Sequence, residues 1–454
     1  MSKISPLAEA ARERLLSRVD SMRRAGKPRV AEDADPGALL EKFTEFSTLP
    51  GYEELRLQRS IGEKFGLQNP YFRMHDGLAS SHTEIDGKSL LNFSCYDYLG
   101  LNGHPEIVAA AKSAIDRYGI SASASRHVAG ERPAHRSLER ALADHYSCEE
   151  ALVFVSGYAT NVGVIGQLVG PKDLIVSDAV VHNSAVMGSV LSGAVRRSFA
   201  HNDLDNLDQI LMASRGKFER VLIVVEGLYS MDGDFPDLPR LIEIKKRHHA
   251  WLMVDEAHSL GVLGPRGYGL SEHFDVDPRE VDIWMGTLSK TLAGCGGYIA
   301  GSGVLVDYLR CMAGAFVYSV GMPPLIAASV EKALELMHRE PNRVAKLQRN
   351  GMHFFNTAKK KGLDTGHGRG TAVCPIVVGD SIPAVILSQQ LLKRGINVQP
   401  VLYPAVPAKS SRLRFFLTAM HTEQEIETAV DTIVDELAKI PAGMRTLKFP
   451  GYPV

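Results

Sequence analysis

Lys290 lies in the stretch TLSKTLAGCGG, with Thr287 and Ser289 before it and glycines at 294, 296 and 297 after it. A lysine amine can bond covalently to an aldehyde. Hydroxyls and free backbone N–H groups at a helix start suit a phosphate, and glycines allow the backbone to approach closely. Taken alone, a lysine of this kind is a solvated surface charge. Asp255 follows the apolar run WLMV. Its carboxylate would arrive from the core and need a cation, or it caps the next helix. His258 sits just past the same strand end, as a ligand contact or as a structural histidine. The string DEAH also matches a helicase box, but no G-x-x-x-x-G-K-[ST] phosphate loop exists in the chain.

Further groups fall at similar places. SGYATN, residues 156–161, directly follows a buried run. Gly157 and Tyr158 can offer backbone N–H groups to a phosphate, or the stretch is a turn with a cap at Ser156 or Thr160. His182 can stack on a flat ring or simply start a helix. Glu226 and Ser230 end another strand. Arg412 in SSRLRFF can fork onto a carboxylate. Arg414 shares its strand face at period two, which leaves one of the two arginines free to be structural. One ligand answers most of these groups. Pyridoxal 5'-phosphate (PLP) brings a phosphate, an aldehyde and a ring nitrogen whose positive charge Asp255 would preserve, keeping the ring an electron sink.

These positions are strand ends of an alternating pattern. EEALVFVSG, DLIVSD, ERVLIVVEG, AWLMVDEAHS, VDIWMGTLSK and GGYIAGS read as strands, most of them separated by helical segments such as HNSAVMGSVLSG, DNLDQILMASR and LPRLIEIKKRHH, with VRRSFAHND running on between the first two of these. Apolar strands alternating with helices indicate a mostly parallel α/β sheet, in which ligands sit beyond the C-terminal strand ends. Before it, EIDGKSLLNFSCYDYLGL brings extended segments around the turn pair Asp86-Gly87. After Met322-Pro323-Pro324 the pattern changes. A long helix bent near Pro341 is followed by strands in CPIVVGD, INVQPVLYPAVP and SRLRFFLTA, then a terminal helix capped at Thr422 with Glu425. The expected division is an N-terminal segment over 1–90, a large domain over 91–325 and a small α+β domain over 326–454.

Composition excludes other classes. The 454 residues are 45% hydrophobic and 23% charged, with a formal net charge of -1. Bulk charge gives no support for a nucleic-acid or membrane surface. Apolar runs such as ALVFV are too short to span a bilayer. The N-terminal stretch lacks a signal-peptide core and reads as an amphipathic surface helix. Five widely spaced cysteines, with no C-x-x-C pair, suggest neither a disulfide scaffold nor a metal site and fit a reducing cytoplasm.

Together the motifs resemble the α-oxoamine synthases, fold-type I PLP enzymes that include the serine palmitoyltransferases. The matching text is LNFSCYDYLGL, SGYATN, HNDLDNL, EGLYSMDGD, VDEAHSLGVLGPRGYG, GTLSKTLAGCGGYIAG, YSVGMPP and VPAKSSRLRF, in family order across about residues 90–420. The resemblance implies that Lys290 carries the cofactor covalently, that Asp255 pairs with its ring nitrogen, and that His258 and Ser230 meet its phenolic oxygen. It implies His182 stacked on the ring; Gly157, Tyr158, Thr287 and Ser289 at the phosphate; and Arg412 on the substrate carboxylate. It also implies an active site between two subunits, with Ser319 reaching the neighbour's phosphate. Two departures stand out. Val320 follows Ser319 where relatives often have a second hydroxyl. Tyr96 stands where many have asparagine, which resembles the serine palmitoyltransferases more than members using alanine or glycine.

The implied reaction is a decarboxylating Claisen condensation of an L-amino acid, serine favoured, with a long-chain acyl thioester. It gives carbon dioxide and a 2-amino ketone such as 3-ketosphinganine. Alanine or glycine is the alternative amino acid, and coenzyme A or an acyl-carrier protein the alternative carriers. A fold-type I aminotransferase or C–S lyase, and a non-catalytic subunit, are the rival readings.

Overall fold

The computed structural model describes Leu40, residues 43–64 and residues 66–440. The amphipathic stretch expected within the first 24 residues lies outside them. The chain divides into two compact units, residues 1–69 and 70–454. In the first, the described residues form a short turn, Phe46–Thr48, and the helix Pro50–Lys64. The second holds everything below.

It opens with the hairpin β1 (His82–Ile85) and β2 (Lys88–Asn92). Asp86 and Gly87 turn it, both at positive φ (51° and 70°), the geometry that suits an Asp-Gly pair. Seven strands then build one sheet: β3 (Glu150–Phe154), β4 (Leu174–Asp178), β5 (Val195–Phe199), β6 (Val221–Glu226), β7 (Trp251–Asp255), β8 (Ile283–Thr287) and β9 (Gly297–Gly301). Their order is β3-β9-β8-β7-β6-β4-β5. The neighbours from β8 through β5 run parallel, and β9 is antiparallel to both β3 and β8.

The expected burial on both faces is found. On β6, Val221, Ile223 and Val225 enter one apolar core while Leu222 and Val224 enter another. Parallel register aligns the strand ends, with Glu226 opposite Asp255 and Asp255 opposite Met285. Side chains just past these residues therefore emerge along one edge.

The later elements are β10 (Val373–Gly379), β11 (Ile396–Asn397), β12 (Pro400–Val401) and β13 (Ser411–Phe416). Strands β10, β13 and β12 form an antiparallel sheet, while β11 pairs with β2 of the opening hairpin. INVQPVLYPAVP is thus not one strand but two short ones in different sheets, Ile396–Asn397 beside β2 and Pro400–Val401 beside β13. The bent helix expected near Pro341 is two helices, Pro324–Arg339 and Pro341–Lys360. The terminal helix Glu423–Lys439 carries the expected capping box. Among the described residues no helix is long and apolar enough to cross a membrane.

Two helices that start at strand ends, Gly157–Leu168 and Asn183–Leu191, cross at Gly188. A Cβ there would lie 2.7 Å from the Asn161 carbonyl oxygen and 3.0 Å from the Ile165 Cβ. Gly188→Val is expected to lose about 1–3 kcal/mol by overpacking. It should lower Tm in thermal unfolding while leaving the far-ultraviolet circular dichroism of the folded protein unchanged.

Candidate active site

Asp255, at the end of β7, is buried among other strand ends. Its Oδ2 accepts from Asn161 Nδ2 (2.8 Å) and its Oδ1 from the Ala257 N–H (3.0 Å). Asn161 Nδ2 also donates to Ser184 Oγ (2.9 Å). That hydroxyl donates to His182 Nδ1 (2.7 Å), which also accepts from the Ser184 N–H (3.3 Å). Since Nδ1 is an acceptor twice over, the network assigns the His182 proton to Nε2. Burial lowers the His182 pKa, Asp255 opposes that, and Lys290 and Arg414 reinforce it.

Lys290, on the turn after β8, donates from Nζ to His258 Nε2 (2.8 Å), and His258 Nδ1 lies 2.6 Å from Tyr98 Oη. Burial pulls the Lys290 amine down to about 8 although Asp255 and Glu226 draw it up. His258 is pushed well below the usual imidazole range by burial and by the neighbouring Lys290 and Arg414. Burial also raises Glu226 to about 8, with Asp255 acting in the same direction. The ring of Tyr96 faces Lys290, with Nζ 5.7 Å from its centroid, and meets Phe416 edge-on at 4.6 Å. Lys290, Asp255, His258, His182 and Tyr96, far apart in sequence, thus occupy one neighbourhood.

Close by, the helix Gly157–Leu168 points its N-terminus along the same edge, capped by Ser156. Thr287 Oγ1 donates to the Gly296 carbonyl (3.0 Å) and lies 3.3 Å from Ser289 Oγ. A Cβ on Gly157 would stand 2.9 Å from Thr287 Oγ1, so only glycine lets the helix start sit against that hydroxyl. Tyr158 is half exposed. A helix start ringed by hydroxyls is a phosphate site, a buried carboxylate suits a pyridinium nitrogen, and a lysine with a lowered pKa suits an aldehyde. Glu226 Oε1 and Asn161 Oδ1 are buried without hydrogen-bond partners among the described residues, as polar atoms awaiting a bound group would be. The residues present therefore fit PLP.

The two arginines separate. Arg412 is buried and spent within the chain, on Asp232 Oδ1 (2.7 Å), the Met231 carbonyl (3.1 Å) and the Ser410 carbonyl (3.0 Å). Arg414 donates from Nη1 to the Ser230 carbonyl (3.0 Å), its Nε is buried without a partner, and its charge is felt by Lys290, His258 and His182. The resemblance puts the substrate carboxylate on Arg412, whose charge is here paired with Asp232, while Arg414 carries no carboxylate partner among the described residues and lies against Met231 Sδ and the Phe416 ring. Ser230 is buried on the loop after β6. Ser319 lies between the exposed side chains of Tyr318 and Val320. Asn161, Ser184 and Tyr98 carried no assigned role in the sequence reading, although Asn161 and Tyr98 lie inside quoted motifs.

Similarity to known proteins agrees with this geometry. The family model Aminotransferase class I and II matches residues 88–433. The 8-amino-7-oxononanoate synthase of Cellvibrio japonicus is 40% identical over 388 residues, 85% of this chain and 96% of that protein. The serine palmitoyltransferase of Sphingomonas wittichii superposes with a TM-score of 0.83 at 30% identity, covering 87% of this chain and 100% of the other. A serine palmitoyltransferase solved with PLP gives 0.81 at 28%, covering 86% and 98%. With a lysine, a buried aspartate and a phosphate-type helix start on one edge of a fold-type I sheet, and relatives of this kind over most of its length, the chain belongs to the α-oxoamine synthases, a family of PLP-dependent enzymes.

Proposed function

We propose that this enzyme condenses L-serine with a long-chain acyl thioester, releasing carbon dioxide and the free thiol and forming a 2-amino ketone such as 3-ketosphinganine. The observation that carries the amino-acid half is the presence together of Lys290, its pKa lowered by burial, and of Arg414, which acts electrostatically on it and whose Nε is buried with no partner among the described residues. Bound PLP supplies an electron sink for the charge left when a proton or carbon dioxide departs from the α-carbon. The rest is done by side chains of this chain. Asp255 holds the ring-nitrogen proton. Arg414, rather than Arg412, grips the substrate carboxylate. Lys290, as the free amine, takes the α-proton. His182 would stack on the cofactor ring, with its Nε2–H available to an oxygen of the acyl group. His258 keeps the Lys290 amine in place, and with Ser230 it would hold the cofactor's phenolic oxygen. Gly157, Tyr158, Thr287 and Ser289 serve the phosphate.

Tyr96 supports serine, because its ring forms a wall beside Lys290 and a tyrosine at this position resembles the serine palmitoyltransferases. The 40% identity to an 8-amino-7-oxononanoate synthase supports a second reading, the same chemistry with alanine or glycine. The domain division at residues 90 and 325, a cytoplasmic location and a homodimer belong to the proposal. The exposed side chains of Ile120, Val128, Leu191 and Tyr318 favour a second copy as partner, and Ser319 would then serve the neighbour's phosphate.

The deciding experiment offers serine, alanine and glycine with palmitoyl thioesters of coenzyme A and of acyl-carrier protein. It measures carbon dioxide release and the mass of the ketone. Serine should give the highest kcat/KM. A higher value for alanine or glycine replaces serine, turnover with one thioester alone fixes the carrier, and formation of a 2-oxo acid without condensation would indicate an aminotransferase.

The free amine is the attacking form, and its fraction grows as pH climbs through the Lys290 pKa of about 8. Covalent capture of PLP by cofactor-free enzyme should therefore speed up from about pH 7 to about pH 9. Borohydride trapping and peptide mapping should put the label on Lys290. Arg414→Met should raise the amino-acid KM about ten-fold or more, whereas Arg412→Met should chiefly lower Tm by leaving Asp232 buried and unpaired.

A further inference from the structure

One charged cluster near the site has no part in that chemistry. His201, on the loop after β5, presents both ring nitrogens to carboxylates. Nδ1 meets Asp178 Oδ1 at 3.0 Å, and Nε2 meets Asp234 Oδ2 at 2.9 Å. Both aspartates are buried. Asn202 repeats the span with its N–H to Asp178 Oδ2 (2.9 Å) and its Nδ2 to Asp234 Oδ2 (2.8 Å). The Tyr229 ring stands edge-on to the imidazole at 4.5 Å, and His367 is the other titratable ring beside it, at 6.3 Å. A neutral imidazole would turn a lone pair toward one carboxylate, so the geometry requires the charged form. Burial works against that charge, but the bonds to Asp178 and Asp234 outweigh it and hold the pKa up at about 10.

The bridge joins three strand ends, and its far end is the loop that follows β6. Asp234 sits on that loop, where its carbonyl accepts from the Tyr229 N–H (2.8 Å), and the Tyr229 carbonyl accepts from the Gly233 N–H (2.8 Å). Gly233, at φ 73°, lies against β10, where a Cβ would come within 2.0 Å of the Val373 carbonyl oxygen. Between Tyr229 and Gly233 the loop carries Ser230, whose carbonyl holds Arg414, and Met231 and Asp232, which hold Arg412. The loop is therefore pinned to the small sheet on one side and to β4 and β5 on the other.

We propose that His201, bridging Asp178 and Asp234, is a positioning residue that fixes the loop over residues 227–235 so that the Ser230 carbonyl aims Arg414 at the substrate carboxylate. This rests on the assignment of that carboxylate to Arg414. It predicts an effect confined to the amino acid, since the thioester makes no use of Arg414.

The test uses the PLP-loaded enzyme and the binding of L-serine and L-alanine, read from the cofactor absorbance. His201→Gln keeps the size but cannot donate in two opposite directions. It should weaken binding of the preferred amino acid about ten-fold or more, while the thioester KM changes less than about two-fold. In an Arg414→Met background the same change should cost less than about two-fold, because both act on one group. A merely structural role would weaken both substrates and multiply fully with Arg414→Met, and either result overturns the proposal. Asp234→Asn, which preserves shape and removes one charge of the bridge, should behave in the same way and serves if His201→Gln does not fold. Amino-acid binding within about two-fold of the unaltered enzyme, in a folded and PLP-loaded variant, also overturns it. If Arg414→Met itself leaves amino-acid binding unchanged, the carboxylate assignment fails and the positioning role falls with it. If Arg414→Met weakens binding and the His201 and Asp234 variants do not, only the positioning role falls.

Discussion

Burial of a carboxylate at the edge of a parallel sheet is the constraint from which the site follows. Asp255 reaches that edge because β7 is flanked by β6 and β8 and carries Leu252, Met253 and Val254 through the core before it. A carboxylate there is costly unless hydrogen-bonded and matched with positive charge. Asn161 and the Ala257 N–H supply the hydrogen bonds. Lys290 supplies nearby positive charge from the next strand end, and the same burial makes its ammonium give up its proton more readily. The environment that makes Asp255 need a cation also makes Lys290 ready to lose its proton, and a PLP enzyme uses both properties.

From Asp255 the order spreads by hydrogen bonds rather than by sequence proximity. Asn161 links it to Ser184 and so to the tautomer of His182. That link depends on the close crossing of two helices at Gly188. On the other side of Lys290, His258 leans on Tyr98, which is fully buried in the core. Reactive groups sit on strand ends and helix starts, where rigid elements limit their wandering. Arg414 instead stands on β13 and hangs from the loop after β6.

This arrangement separates chemistry from selectivity. The groups around Asp255 and Lys290 can serve any member of a family that condenses amino acids with acyl thioesters. What differs between serine, alanine and glycine is a hydroxyl or a methyl group. Size discriminates weakly between such substrates, while a placed hydrogen bond discriminates strongly. The family assignment rests on the whole edge, whereas selectivity within the family turns on single wall residues.

Much of this was legible in the chain itself. The alternation of apolar runs and helices announced a mostly parallel sheet, because strands buried on both faces leave no polar alternation. Lys290, Asp255, His258 and His182 stood out because each follows a run that must be a strand end or a helix start. Asp86-Gly87 and the Thr422–Glu425 box were readable because turns and caps are local. Tertiary structure decided the rest. Period two puts Arg412 and Arg414 on one face, and only the loop bearing Asp232, some 180 residues earlier, tells which is already neutralised. Asn161 and Ser184 acquire roles only when two helices cross. The split of INVQPVLYPAVP between two sheets depends on β2, some 300 residues before it. Periodicity and capping are properties of neighbours along the chain, whereas the neutralisation of a buried charge depends on whichever distant group the fold brings within hydrogen-bonding reach.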